Sequence, residues 1–256
     1  RTLWLGGTDY AYSRSASQFN CSALVLSTVY DMVDAFWLLL NGCGVGGKPK
    51  SGTLHGYIRP IEEIFIIPST QDKNHRGHPE NREEKPCASN DWTWKIIIGD
   101  SAEAWAKALG KMLVSPRDKC NKLVLDFSQI RGKGGRLKGY GWICNGSLPL
   151  QKALIAVHRI LNQAAGNLLD EEQILDIFNW LGTVLSSRRA AETGVMDAWN
   201  PLRHQFSIRK NEYWKCNACG SSNTHHGKCL ICKSEDTNDF RRQSNNSLLF
   251  WQRPSI

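Results

Sequence analysis

Four of the chain's nine cysteines fall in two Cys-x-x-Cys pairs, Cys216 with Cys219 and Cys229 with Cys232. Each pair can present two thiolates from one tight turn, and Gly220 follows the first pair where such a turn needs a permissive backbone. Four thiolates in a tetrahedron suit Zn²⁺ and leave no open coordination position, which makes the site structural rather than catalytic. The metal would also supply the ordering free energy that a polar span of about twenty residues cannot draw from a core. An iron–sulfur or redox-active cluster, or a ribbon without metal, is the competing reading. His225 and His226, between the pairs, read as solvent-exposed, because four thiols suffice.

A second candidate is the stretch "DFSQIRGKGGRLKGYG", where Arg131, Lys133, Arg136 and Lys138 project from a glycine-rich loop. Exposed backbone N–H groups and positive charge together favour an anion. The Walker order of Gly, Lys and Ser or Thr is absent, so this is no P-loop. A solvated basic loop is the bland alternative. A third is Cys21 in "SASQFNCSALVL", at the mouth of an apolar segment after a polar one that reads as extended. A cysteine so placed is most often a small core residue.

These residues need elements to hold them. "STVYDMVDAFWLLL" places Val29, Met32, Val33, Phe36, Trp37 and Leu40 at helical spacing before glycines that read as a tight turn. "LHGYIRPIEEIFIIPS" predicts one or two short strands, and residues 70–91 read as a polar surface loop. "WTWKIIIGDSAEAWAKALGKML" predicts strand, turn and helix, with Asp100 and Glu103 at capping-box spacing. "KLVLDFS" is a strand emptying into the basic loop. Two amphipathic helices follow: one carries Leu150, Leu154, Val157 and Leu161 and ends by Gly166, and one opens at Asp170 with Gln173 three residues on. Strands alternating with helices imply an α/β fold with at least partly parallel strands.

Composition narrows the class. A length of 256 residues with 41% hydrophobic content and ten tryptophans supports a sizeable core in one or two domains. No apolar run reaches membrane-spanning length, and no secretory signal is visible. An odd number of cysteines, four of them at metal spacing, points to a reducing cytoplasm rather than a disulfide framework. The net charge of +8 favours anionic partners. A start at Arg1 rather than Met suggests a chain processed or cut from a longer reading frame.

Six segments in one order carry a resemblance. "RTLWLGGTDYAYSRSASQFNCSALVL", "FWLLLNGCGVGG", "LVLDFSQIRGKGGRLKGYG", "LPLQKALIAVHRILNQAAG", "DIFNWLGTVLSSRRAAE" and "SNNSLLF" resemble the adenosylcobalamin-dependent (class II) ribonucleoside-triphosphate reductases, particularly the monomeric type. The resemblance implies a ten-stranded α/β barrel of two half-sheets threaded by a finger loop. It implies thiyl-radical reduction of the ribose 2′-carbon, with electrons supplied by a pair of cysteines that close a disulfide. By its place in "FNCSA", Cys21 matches the first reducing cysteine. Thr8 in "GGTD", Asn20, and Gly44 in "CGVGG" match positions that meet the substrate. The loop bearing Arg131, Lys133, Arg136 and Lys138 matches the specificity loop between a deoxynucleotide effector and the substrate base. Implied with these are adenosylcobalamin, a structural Zn²⁺, a ribonucleoside triphosphate substrate and a thioredoxin-like reductant.

Departures accompany the likeness. Bulky Trp142 and Cys144 stand where family members carry small residues, and "TVLSSRRAAE" is a shortened passage. No Asn-Pro-Cys-Gly-Glu finger loop follows, so catalysis would need a second polypeptide or a missing C-terminal half. The expected organisation is the N-terminal half of a barrel over 1–209, an inserted zinc-ribbon segment over 210–240 and a return to the barrel over 241–256. A zinc-ribbon protein that binds nucleic acid or regulates, on a decayed reductase scaffold, is the alternative.

Overall fold

The computed structural model describes residues 6–19, 21–84, 92–114, 120–137, 143–184, 193–198, 214–216, 218–219, 222–223, 228–234 and 244–249. Asn20, Lys138, Trp142, Gly220, His225 and His226 lie outside them.

The chain enters through a short helix, α1 (Asp9–Ser13), and a 3-10 turn over Ser15–Gln18. The polar run before Cys21 is therefore coiled rather than extended. Gln18 Nε2 donates to the Ala11 carbonyl at 3.2 Å, folding the segment back on itself. Strand β1 (Cys21–Leu26) follows and leads into α2 (Val29–Leu40). Thr28 caps that helix: its hydroxyl accepts from the Asp31 backbone N–H at 3.2 Å, and its own N–H donates to Asp31 Oδ2 at 2.8 Å. Such a reciprocal cap is worth about 1 kcal/mol. Met32, Ala35, Phe36 and Leu39 form the buried stripe.

Gly42, at φ 77°, ends α2, its N–H donating to the Leu39 carbonyl at 2.8 Å. The glycines beyond do not form the expected tight turn. They lie in β2 (Gly44–Pro49), which runs parallel to β1 with Cys21 in register with Gly44. Small residues here admit close packing. A Cβ on Gly47 would sit 2.5 Å from Leu26 Cδ1 and 2.8 Å from Phe178 Cε1.

The middle of the chain builds a second sheet from β3 (Glu63–Ile67), β4 (Arg82–Glu84), β5 (Thr93–Ile97) and β6 (Lys122–Asp126), with α3 (Ala102–Leu113) crossing from β5 to β6. Its order is β3-β6-β5-β4, with β4 antiparallel to β5 and the other pairs parallel. One strand forms between Leu54 and Ser69, and β4 interrupts the polar stretch 70–91 that the sequence reads as a loop throughout. The expected Asp100–Glu103 cap is replaced. Ser101 is the N-cap, its hydroxyl accepting from Ala104 N–H at 3.0 Å, and Asp100 is drawn away into an ion pair.

Two helices follow, α4 (Leu148–Gln163) and α5 (Glu171–Gly182). The Asp170–Gln173 capping box forms as expected, at 2.7 and 3.0 Å. The segment before β3 is strapped to the end of α4. Tyr57 N–H donates to the Leu161 carbonyl, Asn162 exchanges hydrogen bonds with the Ile61 backbone, and the Tyr57 hydroxyl lies 3.3 Å from His158 Nδ1. Strands β7 (Thr193–Ala198) and β10 (Ser244–Leu249) then complete the first sheet, in the order β1-β2-β7-β10, all parallel. One apolar cluster links both sheets, from Leu26, Phe36 and Val45 to Trp94, Leu123, Leu154 and Phe178. The hairpin β8 (Trp214–Lys215) and β9 (Ser222–Asn223) stands apart with its own small buried cluster, Cys216 and Cys229.

Candidate functional site

Cys21 opens β1, and its side chain is exposed. Residues of a strand alternate between faces, so Cys21, Ala23 and Val25 share one face with their partners Gly44, Gly46 and Lys48. That face is exposed or half-buried along β1 and β2, while Leu26 and Val45 turn into the core. The thiol is thus not packed among aliphatic side chains, and it stands beside the backbone of Gly44. Cys43, the residue before β2, is fully buried, with its sulfur 3.6 Å from Ser22 Oγ. Cys43 belongs to the opposite face and is no disulfide partner for Cys21.

Thr8 is exposed and caps α1: its hydroxyl accepts from Ala11 N–H at 3.3 Å. Arg14, in the same segment, forms an ion pair with Glu103 in the first turn of α3. Trp37 of α2 donates its indole N–H to the same carboxylate at 3.5 Å.

The basic loop after β6 is only partly free. Arg131 Nε donates to Asp100 Oδ2 at 2.7 Å, a pair whose side chains are 13% and 7% exposed, and Arg131 Nη1 donates to the Arg136 carbonyl. Burial raises the Asp100 carboxyl pKa above its usual value, and the guanidinium only partly offsets it. Lys133 and Arg136 are exposed. The base of the loop is closed by Gly134 N–H to the Cys144 carbonyl at 2.9 Å and Cys144 N–H to the Gly135 carbonyl at 2.8 Å. Arg136 and Ile143 face each other across an antiparallel bridge. The loop therefore springs from a fixed stem, and its four cations divide into one structural group, two exposed ones and Lys138 outside the described residues. Sequence spacing missed the roles of Arg14, Asp100 and Glu103. A capping pattern and an ion pair use the same residue types, and only the long-range partner distinguishes them.

In the ribbon, Cys216 and Cys232 sulfurs lie 3.5 Å apart and those of Cys219 and Cys229 3.7 Å. All four fall within 4.8 Å of one another. A tetrahedral site with metal–sulfur bonds of about 2.3 Å needs sulfurs about 3.8 Å apart, so the quartet fits Zn²⁺. The second knuckle is closed by Lys233 N–H to the Cys229 carbonyl at 2.8 Å and Cys229 N–H to the Ser234 carbonyl at 2.9 Å, with Lys233 at φ 62°. Hydrogen bonding to Ser234 favours the Cys232 thiolate, but burial and the neighbouring thiols outweigh it and push Cys232 up to about 12.

Comparison with known proteins fits this arrangement. The fold is shared with a B12-dependent (class II) ribonucleotide reductase crystal structure, at a TM-score of 0.66 and 19% identity, over 96% of this chain and 35% of that one. In sequence the chain is similar to adenosylcobalamin-dependent ribonucleoside-triphosphate reductases. It is 27% identical over 236 residues to that of Lacticaseibacillus paracasei, covering 77% of this chain and 31% of the other. With that of Lactobacillus helveticus it shares 26% over 233 residues, 76% and 31% of the two chains. The family model for the B12-dependent ribonucleotide reductase insertion domain matches residues 70–161. The chain thus spans about a third of the length of these relatives. No helix among the described residues is long and apolar enough to cross a membrane.

Proposed function

We propose that this chain forms the N-terminal part of an adenosylcobalamin-dependent ribonucleotide reductase, which converts ribonucleoside triphosphates to deoxyribonucleotides. The observation that carries the reading is the exposed thiol of Cys21 at the head of a parallel strand, in register with Gly44 of a glycine-rich strand. In this reading the β1-β2-β7-β10 sheet contributes to a half-barrel over 1–209 and 241–256, the matched insertion unit lies within the first span, and 210–240 is a zinc-ribbon insert.

The chemistry asked of Cys21 is electron supply. Two thiols give up two electrons and two protons, the ribose 2′-hydroxyl departs as water, a hydrogen takes its place, and the sulfurs join as a disulfide. Because Cys43 is on the far face, the second thiol comes from another part of the whole enzyme. A thioredoxin-like dithiol would reopen the disulfide. The β1 and β2 residues sharing the Cys21 face are small or apolar apart from Lys48 and provide no cobalt ligand, so this chain's contribution is the thiol and the open face. Adenosylcobalamin, held elsewhere, would supply the radical. Thr8, Asn20 and Gly44 would meet the substrate. Lys133, Arg136 and Lys138 would carry the information of a deoxynucleotide effector to the base, with Arg131 holding their stem.

The test is an assay of the complete coding sequence with ribonucleoside triphosphate, adenosylcobalamin and dithiothreitol. Deoxyribonucleotide should form with the native sequence and fall to background in Cys21→Ser with its melting temperature unchanged. Reduction at the native rate by Cys21→Ser would overturn the assignment.

A further inference from the structure

The first turn of α3 is fastened to the 78–81 segment. Asp100 N–H donates to the His78 carbonyl at 2.8 Å, and Ser101 Oγ to the Pro79 carbonyl at 2.6 Å. Asn81 bridges Gly99 N–H and the Ala104 carbonyl at 2.9 and 2.7 Å, and Trp105 returns its indole N–H to the Gly99 carbonyl at 3.1 Å. From this braced turn two carboxylates, three residues apart, reach in different directions. Asp100 takes Arg131 at the stem of the basic loop. Glu103 takes Arg14, in the segment that runs into Cys21, together with the indole of Trp37.

The geometry points to Glu103 and Asp100 as a pair of positioning residues that join the basic loop to the 8–19 segment through one rigid turn. A displacement of Arg131 must pull on Asp100. Because the backbone from Gly99 to Trp105 is held by hydrogen bonds to the 78–81 segment and by the Trp105 indole to Gly99, the turn responds as a unit and Glu103 moves with it. Arg14 and Trp37 then carry the displacement to the segment before β1 and to the helix after it. The coupling stands on these contacts alone. Its meaning, that a loop reading one ligand sets the approach to the Cys21 thiol, rests on the function proposed above.

Hydrogen–deuterium exchange of the purified chain separates the two claims, since it needs no substrate, cofactor or turnover. Loss of a half-exposed ion pair weakens local protection by about two- to fivefold, and loss of a buried one by about tenfold or more. Glu103→Gln should speed exchange across residues 8–19 and also across 131–137. Asp100→Asn should do the same in both places from the other end. The charge swap Arg14→Glu with Glu103→Arg should restore protection in both, a rescue that a general loss of packing would not show. Changes confined to 8–19 in Glu103→Gln and to 131–137 in Asp100→Asn would overturn the coupling. If Asp100→Asn does not fold, Arg131→Gln reports from the same side under the same criteria. A coupled result with an inactive complete enzyme would leave the coupling intact and remove only its functional meaning.

Discussion

At the scale of single residues, environment decides which sulfur can act. Cys21 is exposed, whereas Cys43, Cys120 and Cys144 are buried, and burial raises the Cys144 pKa above the usual thiol range. A thiolate reagent at neutral pH should therefore label Cys21 within minutes and the three buried thiols only on unfolding, followed by peptide mass spectrometry. Mild oxidant should give no Cys21–Cys43 disulfide, because the two side chains leave opposite faces of the sheet. His158 makes a second prediction. Burial, with Arg159 adding to it, lowers its pKa from 6.5 to about 4. The folded value lies below the unfolded one, so the stability linked to the neutral imidazole is complete above about pH 6.5 and is lost as pH falls towards 4. Urea melts between these limits should show that loss in the native chain and a flatter response in His158→Gln.

At the scale of elements, periodicity made the helices and strands readable and contact chemistry hid the rest. The stripes of α2, α4 and α5 and the Asp170–Gln173 cap follow from residue type and spacing within one element. The 3-10 turn over Ser15–Gln18 did not, because serines and glutamine favour no period. The glycines of β2 read as a turn because they follow a helical stripe, and glycine usually ends a helix. Here they fill strand positions, and at Gly47 Leu26 and Phe178 press against the backbone. Gly47→Ala should accordingly cost about 1–3 kcal/mol of stability, measured by denaturant unfolding with the slope unchanged. The candidate site followed the same division. The zinc quartet was visible as a local motif and Cys21 and Gly44 only through the family resemblance, while the Arg131–Asp100 and Arg14–Glu103 pairs span 31 and 89 residues and have no local trace.

At the scale of the whole molecule, two sheets share one core and the ribbon keeps its own. Cys216 and Cys229 form a cluster separate from the one that contains Leu26 and Trp94. Metal removal should therefore act locally. The purified chain should hold about one equivalent of Zn²⁺ by metal analysis. A strong chelator should abolish protection around 214–234 in exchange experiments and leave the main thermal transition in place. A large fall in that transition would show that the ribbon braces the rest of the chain.

The parallel sheet also sets an order of events during synthesis. β1 and β2 leave the ribosome together and can pair at once through α2, but the far edge of β2 waits for β7, which begins at Thr193. Everything from Ser51 to Gly182, including the second sheet and three helices, emerges in the interval. That material can settle first, since its own strands and the crossing helix are close in sequence. The nascent chain thus carries a bare strand margin from the end of β2 at Pro49 until Thr193 emerges. Pausing after α5 would lengthen that exposure and favour capture by chaperones.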